Sequence, residues 1–195
     1  MPEKAAQKEP GKKPVPSKKP KPQQEVVVQI PLSELHPFPD HPFQVREDAS
    51  MQETAESVKE YGVLVPALAR PREDGGYELI AGHRRKHACE LAGLATMPVI
   101  VRDIDRDTAT IIMVDSNLQR ENILPSERAK AYKMKMEAIK RQGARTDLTS
   151  PKISAKFRSD DEVGQDAGVS GDTIRNYIAL TQLVPELQQM VDEKK

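Results

Sequence analysis

The 195-residue chain has no tryptophan, a single cysteine and an aromatic share of only 4%. One cysteine cannot close an internal disulfide, and no Cys/His spacing matches a structural zinc site. Cys89 falls on an apolar helix face and is expected in the core. No apolar run approaches the roughly 20 residues that span a bilayer. The start at Met1 runs into Pro and Lys instead of an apolar signal segment. The composition fits a soluble, cytoplasmic protein with a modest core, and the length admits one domain or two small ones.

What the chain does carry is charge, and it is segregated. The 30 Lys+Arg cancel the 30 Asp+Glu overall, yet residues 1–24 are net +5, 25–119 net −7, 120–158 net +7 and 159–195 net −5. Salt screens beyond about 10 Å, so a polyanion meets these local fields and not the neutral sum. Residues 1–24, with seven Lys, six Pro and no aromatic residue, read as a disordered arm without the apolar surface that would offset ordering. A solvated tail is favoured there over a non-specific phosphate-binding arm.

Residues 25–120 read as a small α+β domain. A β-branched run at Val26–Ile30 opens it, and the Pro-rich stretch Leu35–Arg46 is expected to be irregular. Ser50, with Glu53 three residues on, predicts a capping box for a helix that Gly62 stops. Val63–Arg70 reads as a strand, Asp74-Gly75-Gly76 as a turn and Tyr77–Ala81 as the return strand. A helix from Gly82 to about Leu91, a strand at Met97–Arg102 and a helix from Asp107 to about Leu118 complete it.

Residues 121–195 read as all-helical. Ser126 is the expected cap of a long helix that Gly143 ends, residues 144–156 read as a loop, and three short helices follow between Asp160 and Val191.

Two constellations carry chemistry. The first is Gly82-His83-Arg84-Arg85 between a strand and a helix. Unpaired N–H groups at a helix start attract anions, glycine lets a phosphate approach the backbone, and arginine grips phosphate oxygens through a planar fork. Cations are disfavoured by the dipole at that end, so two adjacent arginines call for a compensating anion. Two further polar strings, Phe43-Gln44-Val45-Arg46 and Asp115-Ser116-Asn117-Leu118-Gln119-Arg120, are ordinary when taken singly. His36, His41, His83 and His87 show no metal-site spacing and are read as unliganded.

The second constellation is Gly164, Gly168 and Ile174, the small residue, turn glycine and buried aliphatic of a helix-turn-helix. Ser170 caps its second helix, whose exposed start (Gly171, Asp172, Thr173, Arg175, Asn176) would face a major groove. Lys152, Lys156 and Arg158 upstream would supply phosphate contacts. An ordinary helical hairpin is the plainer alternative.

Together and in this order, over about residues 26–191, these motifs resemble ParB partition proteins, with the flavour of ParB-like proteins from Gram-positive mobile elements. The resemblance implies a nucleotide-binding domain followed by a helix-turn-helix domain. It also implies CTP with Mg²⁺ as ligands and a homodimer that closes as a clamp on double-stranded DNA. Carried over by position, Gly82, His83, Arg84 and Arg85 would hold the triphosphate and Gln44 and Arg46 would line the pocket. Asn117 and Arg120 would close it, with Asn117 helping to position the metal.

Two positions depart from the family pattern: His83 stands where Glu is common, and Ser116 where a Glu is linked to hydrolysis. Nucleotide binding is therefore expected more than turnover, with weak CTP hydrolysis left open. ParB proteins usually carry a further C-terminal dimerisation segment, so dimerisation here is expected to be weak or nucleotide-dependent. A ParA-type ATPase partner, a nucleoid-associated location and a role in partition of a chromosome, plasmid or integrated element complete the expectation. Two rivals stay open: a site-specific transcriptional regulator without clamp activity, and a small-molecule phosphotransferase on the same fold.

Overall fold

A computed structural model describes residues 26–120, 122–146 and 159–193. The N-terminal arm and Lys152, Lys156 and Arg158 lie outside the described residues. Five strands form one mixed sheet in the order β1-β5-β3-β4-β2. They are β1 (Val27–Pro31), β2 (Leu35–Pro37), β3 (Ala67–Pro71), β4 (Tyr77–Ala81) and β5 (Thr96–Val101). The pairs β1–β5 and β3–β4 are antiparallel, whereas β3–β5 and β2–β4 are parallel. Successive strand side chains point to opposite faces, so adjacent Leu79 and Ile80 are both fully buried in different cores.

On one face pack α1 (Ala49–Tyr61) and α2 (His83–Leu91), through Met51, Val58, Ala88 and Cys89. On the other pack α3 (Arg106–Leu118) and α4 (Pro125–Thr146), through Ala109, Met113 and Ala131. A second apolar stripe on α4, centred on Tyr132, meets α5 (Ser159–Ala167) and α6 (Gly171–Ala179) in a third core with Val163 and Ile174. The last described helix is α7 (Pro185–Asp192). Helix α4 is thus the shared wall between the sheet and the C-terminal helices.

One buried cation ties these parts. Lys135 on α4 is 1% exposed, and its Nζ donates to Asp115 on α3 at 2.7 Å and to Asp166 on α5 at 2.8 Å. Burial alone would lower the ammonium's pKa, but the two carboxylates more than reverse this and raise it.

Several local expectations need correction. The stretch after Leu35 is not wholly irregular: Leu35–Pro37 pairs in parallel with Tyr77–Leu79 as an edge strand, a place where proline is tolerated. Strand β3 starts at Ala67 instead of Val63, because Pro66 brings no N–H to a ladder; Leu64 and Val65 stand exposed before it. The cap of α1 is Asp48, whose carboxylate accepts from the Met51 N–H at 2.9 Å, so Ser50 sits within the first turn with its hydroxyl free for another use.

Ser126 likewise lies inside α4, bonding Asp192 through both its N–H (2.9 Å) and its hydroxyl (2.5 Å). The start of α4 is instead capped by Glu127, reaching back to the Leu124 N–H at 3.2 Å. Gly143 lies within α4, which continues to Thr146, since the penalty of about 1 kcal/mol for an interior glycine is small beside the packing of a 22-residue helix.

Candidate functional site

Gly82 ends β4 in the left-handed region at φ +109°, and a Cβ there would stand 2.8 Å from the Ala67 Cβ. Only glycine lets β4 turn this sharply into α2 against β3. The turn launches His83, Arg84 and Arg85 in three directions.

Arg84 reaches across to the start of α1. Its Nη2 donates to the Ser50 hydroxyl at 3.1 Å and lies 3.7 Å from the capping carboxylate of Asp48. There it lines a cavity of about 530 Å³, together with Gln44 and Arg46 from the loop before α1, and Arg120 and Glu127 from the α3–α4 junction. Burial, and then the neighbouring Arg84 charge, push the Arg120 guanidinium below its ordinary pKa. Three arginines against two carboxylates, Asp48 and Glu127, leave the lining net positive, which favours an anion there.

Glu127 is the residue the sequence did not single out. Its carboxylate, 9% exposed, accepts the Gln44 N–H at 3.1 Å across 83 residues of sequence and lies 3.9 Å from Arg46. It staples the Gln44 loop to the first turn of α4. An acid two residues after Pro125 is a helix-start signal that could have marked it.

Arg85 turns the other way. Its Nη1 donates to the carbonyls of Val65 (2.5 Å) and Pro66 (2.7 Å), it does not line the cavity, and burial lowers its pKa. Its charge is spent on the carbonyls that the late start of β3 leaves outside the sheet. His83 is also outside the cavity lining. Its ring meets that of His41 with centroids 4.0 Å apart, and burial, then His41, Arg120 and Lys86, lower its pKa to about 3.

Asn117 is 3% exposed; its Nδ2 donates to the Met113 carbonyl at 2.8 Å, while its Oδ1 is buried without a hydrogen-bond partner. Ser116 is exposed and donates to the Met113 carbonyl at 2.9 Å. Asp115 does not replace a missing carboxylate beside it, being engaged by Lys135. Among the described residues no group of three or more His, Cys, Asp or Glu is placed to hold a metal.

The C-terminal pair of helices meets at a tight turn. Gly168 has φ +68°, and a Cβ on Gly164 would stand 2.6 Å from the Val169 carbonyl oxygen. Ser170 caps α6 by accepting from the Thr173 N–H at 3.2 Å and touches the Thr173 hydroxyl at 2.9 Å. Ile174 is fully buried. Gly171, expected to be exposed, is buried instead: a side chain there would collide with Asp161 of α5. Asp172 and Asn176 are exposed, and Arg175 is held between the carboxylates of Asp160 and Asp172.

Residues 16–118 match the ParB N-terminal domain. The chain belongs to the ParB family. It is 35% identical to the chromosome-partitioning protein Spo0J of Thermus thermophilus over 167 residues, which are 85% of this chain and 55% of that protein. It is 32% identical to the stage 0 sporulation protein J of Bacillus subtilis over 170 residues, 87% of this chain and 54% of the relative. The chain spans about half the length of these curated relatives. A C-terminally truncated chromosome-partitioning ParB of Caulobacter crescentus, solved in complex with the centromeric parS site, superposes with a TM-score of 0.55. It is 28% identical, over 84% of this chain and 76% of the other. The ParB match contains the Gln44 loop and the Gly82 turn, and the relatives' similarity continues across the α3–α4 junction that supplies Arg120 and Glu127.

Proposed function

We propose that this chain is a CTP-dependent DNA-binding protein of partition or maintenance, acting on a chromosome, plasmid or integrated element and located with the nucleoid. In this reading residues 25–120 bind the nucleotide, residues 121–195 bind DNA, and the two meet at α3 and α4. The observation that carries the reading is the arginine-lined cavity. Gln44, Arg46, Arg84 and Arg120, drawn from three separate stretches of the sequence and each expected from the family pattern to serve a nucleotide, line one open space of about 530 Å³. That volume suits a small ligand, and three guanidinium groups suit a triphosphate.

Gly82 and the first N–H groups of α2 contribute the backbone side of the anion site. Arg85 holds the Val65–Pro66 segment and thereby the floor of the turn. Mg²⁺ takes oxygen ligands and draws most of them from water and phosphate. Asn117, whose Oδ1 is unpaired but buried and outside the cavity lining, would have to turn toward the cavity to serve as its one protein oxygen, and the metal would neutralise phosphate charge. Ser116 is hydrogen-bonded to a carbonyl and Asp115 is held by Lys135, so neither stands in for the carboxylate that the family pattern links to hydrolysis, and in this reading the site binds more than it turns over.

On the DNA side, Ser170, Thr173 and Asn176 stand at the start of α6, and Lys152, Lys156 and Arg158 join them as phosphate contacts. Arg175 enters base contact by exchanging Asp172 for a base edge. The clamp is a nucleotide-dependent homodimer, and a ParA-type ATPase is its partner in transport. The test is retention on DNA carrying a cognate site. With CTP, closed circles retain the protein through a high-salt wash while linear DNA releases it. Equal release from both, with site binding intact, leaves a regulator that does not slide.

A further inference from the structure

His83 and His41 are the buried titratable pair that the account above does not use. Neither lines the anion cavity, but each is next or near in sequence to a residue that does, Arg84 for His83 and Phe43 for His41. His83 is the first residue of α2, between Gly82 and Arg84, and His41 lies in the loop that leads to Phe43 and Gln44. His41 Nδ1 lies 2.7 Å from the Phe43 carbonyl oxygen, which fixes the proton on that nitrogen and leaves Nε2 bare. The Nε2 atoms of both rings are buried without a hydrogen-bond partner. The rings touch, tilted by 50°. Two imidazoles in contact accept one proton far more readily than two.

We propose that this pair is a proton acceptor behind the anion site: binding of a polyphosphate in the cavity loads a proton onto it, so that a buried imidazolium adds its charge to those of Arg84 and Arg120 without touching the anion. The proposal rests on the reading that the cavity takes a triphosphate. Its electrostatics follow from the groups that face the pair. Arg120 at the α3–α4 junction and Lys86 on α2 oppose a further positive charge on His83, and Arg120 also opposes one on His41, with Glu127 of α4 the acid that favours it. On the other side His83 shares a cavity of about 300 Å³ with Lys86, His87, Glu47 and Glu90. His87 there lies 3.3 Å from Glu47 and 3.4 Å from Glu90.

Without ligand, burial first and then His41, Arg120 and Lys86 lower the His83 pKa to about 3, while burial first and then Arg120 lower that of His41 against the opposing Phe43 carbonyl and Glu127. A polyphosphate against Arg84 and Arg120 reverses the local sign, and the neutral state loses its advantage. The direction of linkage is fixed. Between the empty-state pKa and the higher occupied-state pKa, binding takes up a proton and affinity rises as pH falls; above the occupied value the dependence vanishes.

Calorimetry tests this with CTP and, separately, inorganic triphosphate, without magnesium, in buffers of low and high ionisation heat. The His83→Gln and His41→Gln variants cancel the proton that the ligand itself gains or loses. The wild type is expected to take up about half a proton or more beyond either variant near pH 6.5. Its affinity relative to theirs should fall at least about threefold from pH 6 to 7.5. Equal uptake in all three, with triphosphate bound, overturns the proposal and leaves the nucleotide reading intact. A wild type that binds neither ligand at any pH overturns both. Should the variants misfold, the imidazole C–H resonances of the wild type decide: saturation with ligand must bring at least one titration up to about pH 6.5 or above, and resonances that titrate identically with and without ligand refute it.

Discussion

At His83 the side chain is chosen against its own charge. A ring held neutral down to about pH 3 in the folded chain, against an ordinary value of 6.5, links stability to acid in one direction. Above pH 6.5 neither folded nor unfolded chain protonates it, and its full contribution is present. As pH falls from 6.5 toward 3 the unfolded chain gains a proton that the folded one refuses, and stability drops by up to about 1.4 kcal/mol per pH unit. Urea midpoints of the wild type and His83→Gln, both without ligand, should therefore diverge between pH 7 and 5, the wild type losing more. Parallel midpoints would mean that the ring is hydrated. Arg84 and Arg85 make a second residue-scale contrast: adjacent in sequence, one lines the cavity and the other hydrogen-bonds two backbone carbonyls.

Helix starts decide which polar groups remain for function. Asp48 caps α1, so Asp48→Ala should cost about 1 kcal/mol in thermal or urea unfolding. Ser50→Ala should stay within about 0.5 kcal/mol of the wild type, because Ser50 serves Arg84 instead. The reverse order would restore the serine cap that the sequence pattern suggests. Strands β4 and β5, helices α2 and α3 and the three short C-terminal helices were legible because their signals are local: the Asp74–Gly76 turn, Gly82 and Gly93, and apolar periodicity. Strand β2 was not, since three residues ending in proline form a strand only by pairing with β4, about forty positions downstream. The late start of β3 hid the role of Arg85 in the same way. Four of the nucleotide candidates, Gln44, Arg46, Arg84 and Arg120, could be named but not joined: what joins the loop to α4 is Glu127, through a contact 83 residues apart.

Across the whole molecule, Lys135 is the point at which α3, α4 and α5 share one charge. Lys135→Ala removes the cation and leaves a void beside two half-exposed carboxylates that water can reach, at a cost of about 2–3 kcal/mol in urea unfolding. Lys135→Met, which keeps the volume, should recover at least about half of that loss. A loss below about 0.5 kcal/mol in the alanine variant would show that the tie contributes nothing. The proposed function requires the cavity between the Gln44 loop, the Gly82 turn and the α3–α4 junction to take a triphosphate. Calorimetric titration with CTP, ATP, GTP and UTP in magnesium, on the wild type and on Arg84→Ala, tests it most directly. The account predicts preferential binding of CTP by the wild type and at least a tenfold weakening, about 1.4 kcal/mol, in the variant. Undetectable binding of all four by the wild type, or CTP binding that Arg84→Ala leaves unchanged, would contradict it.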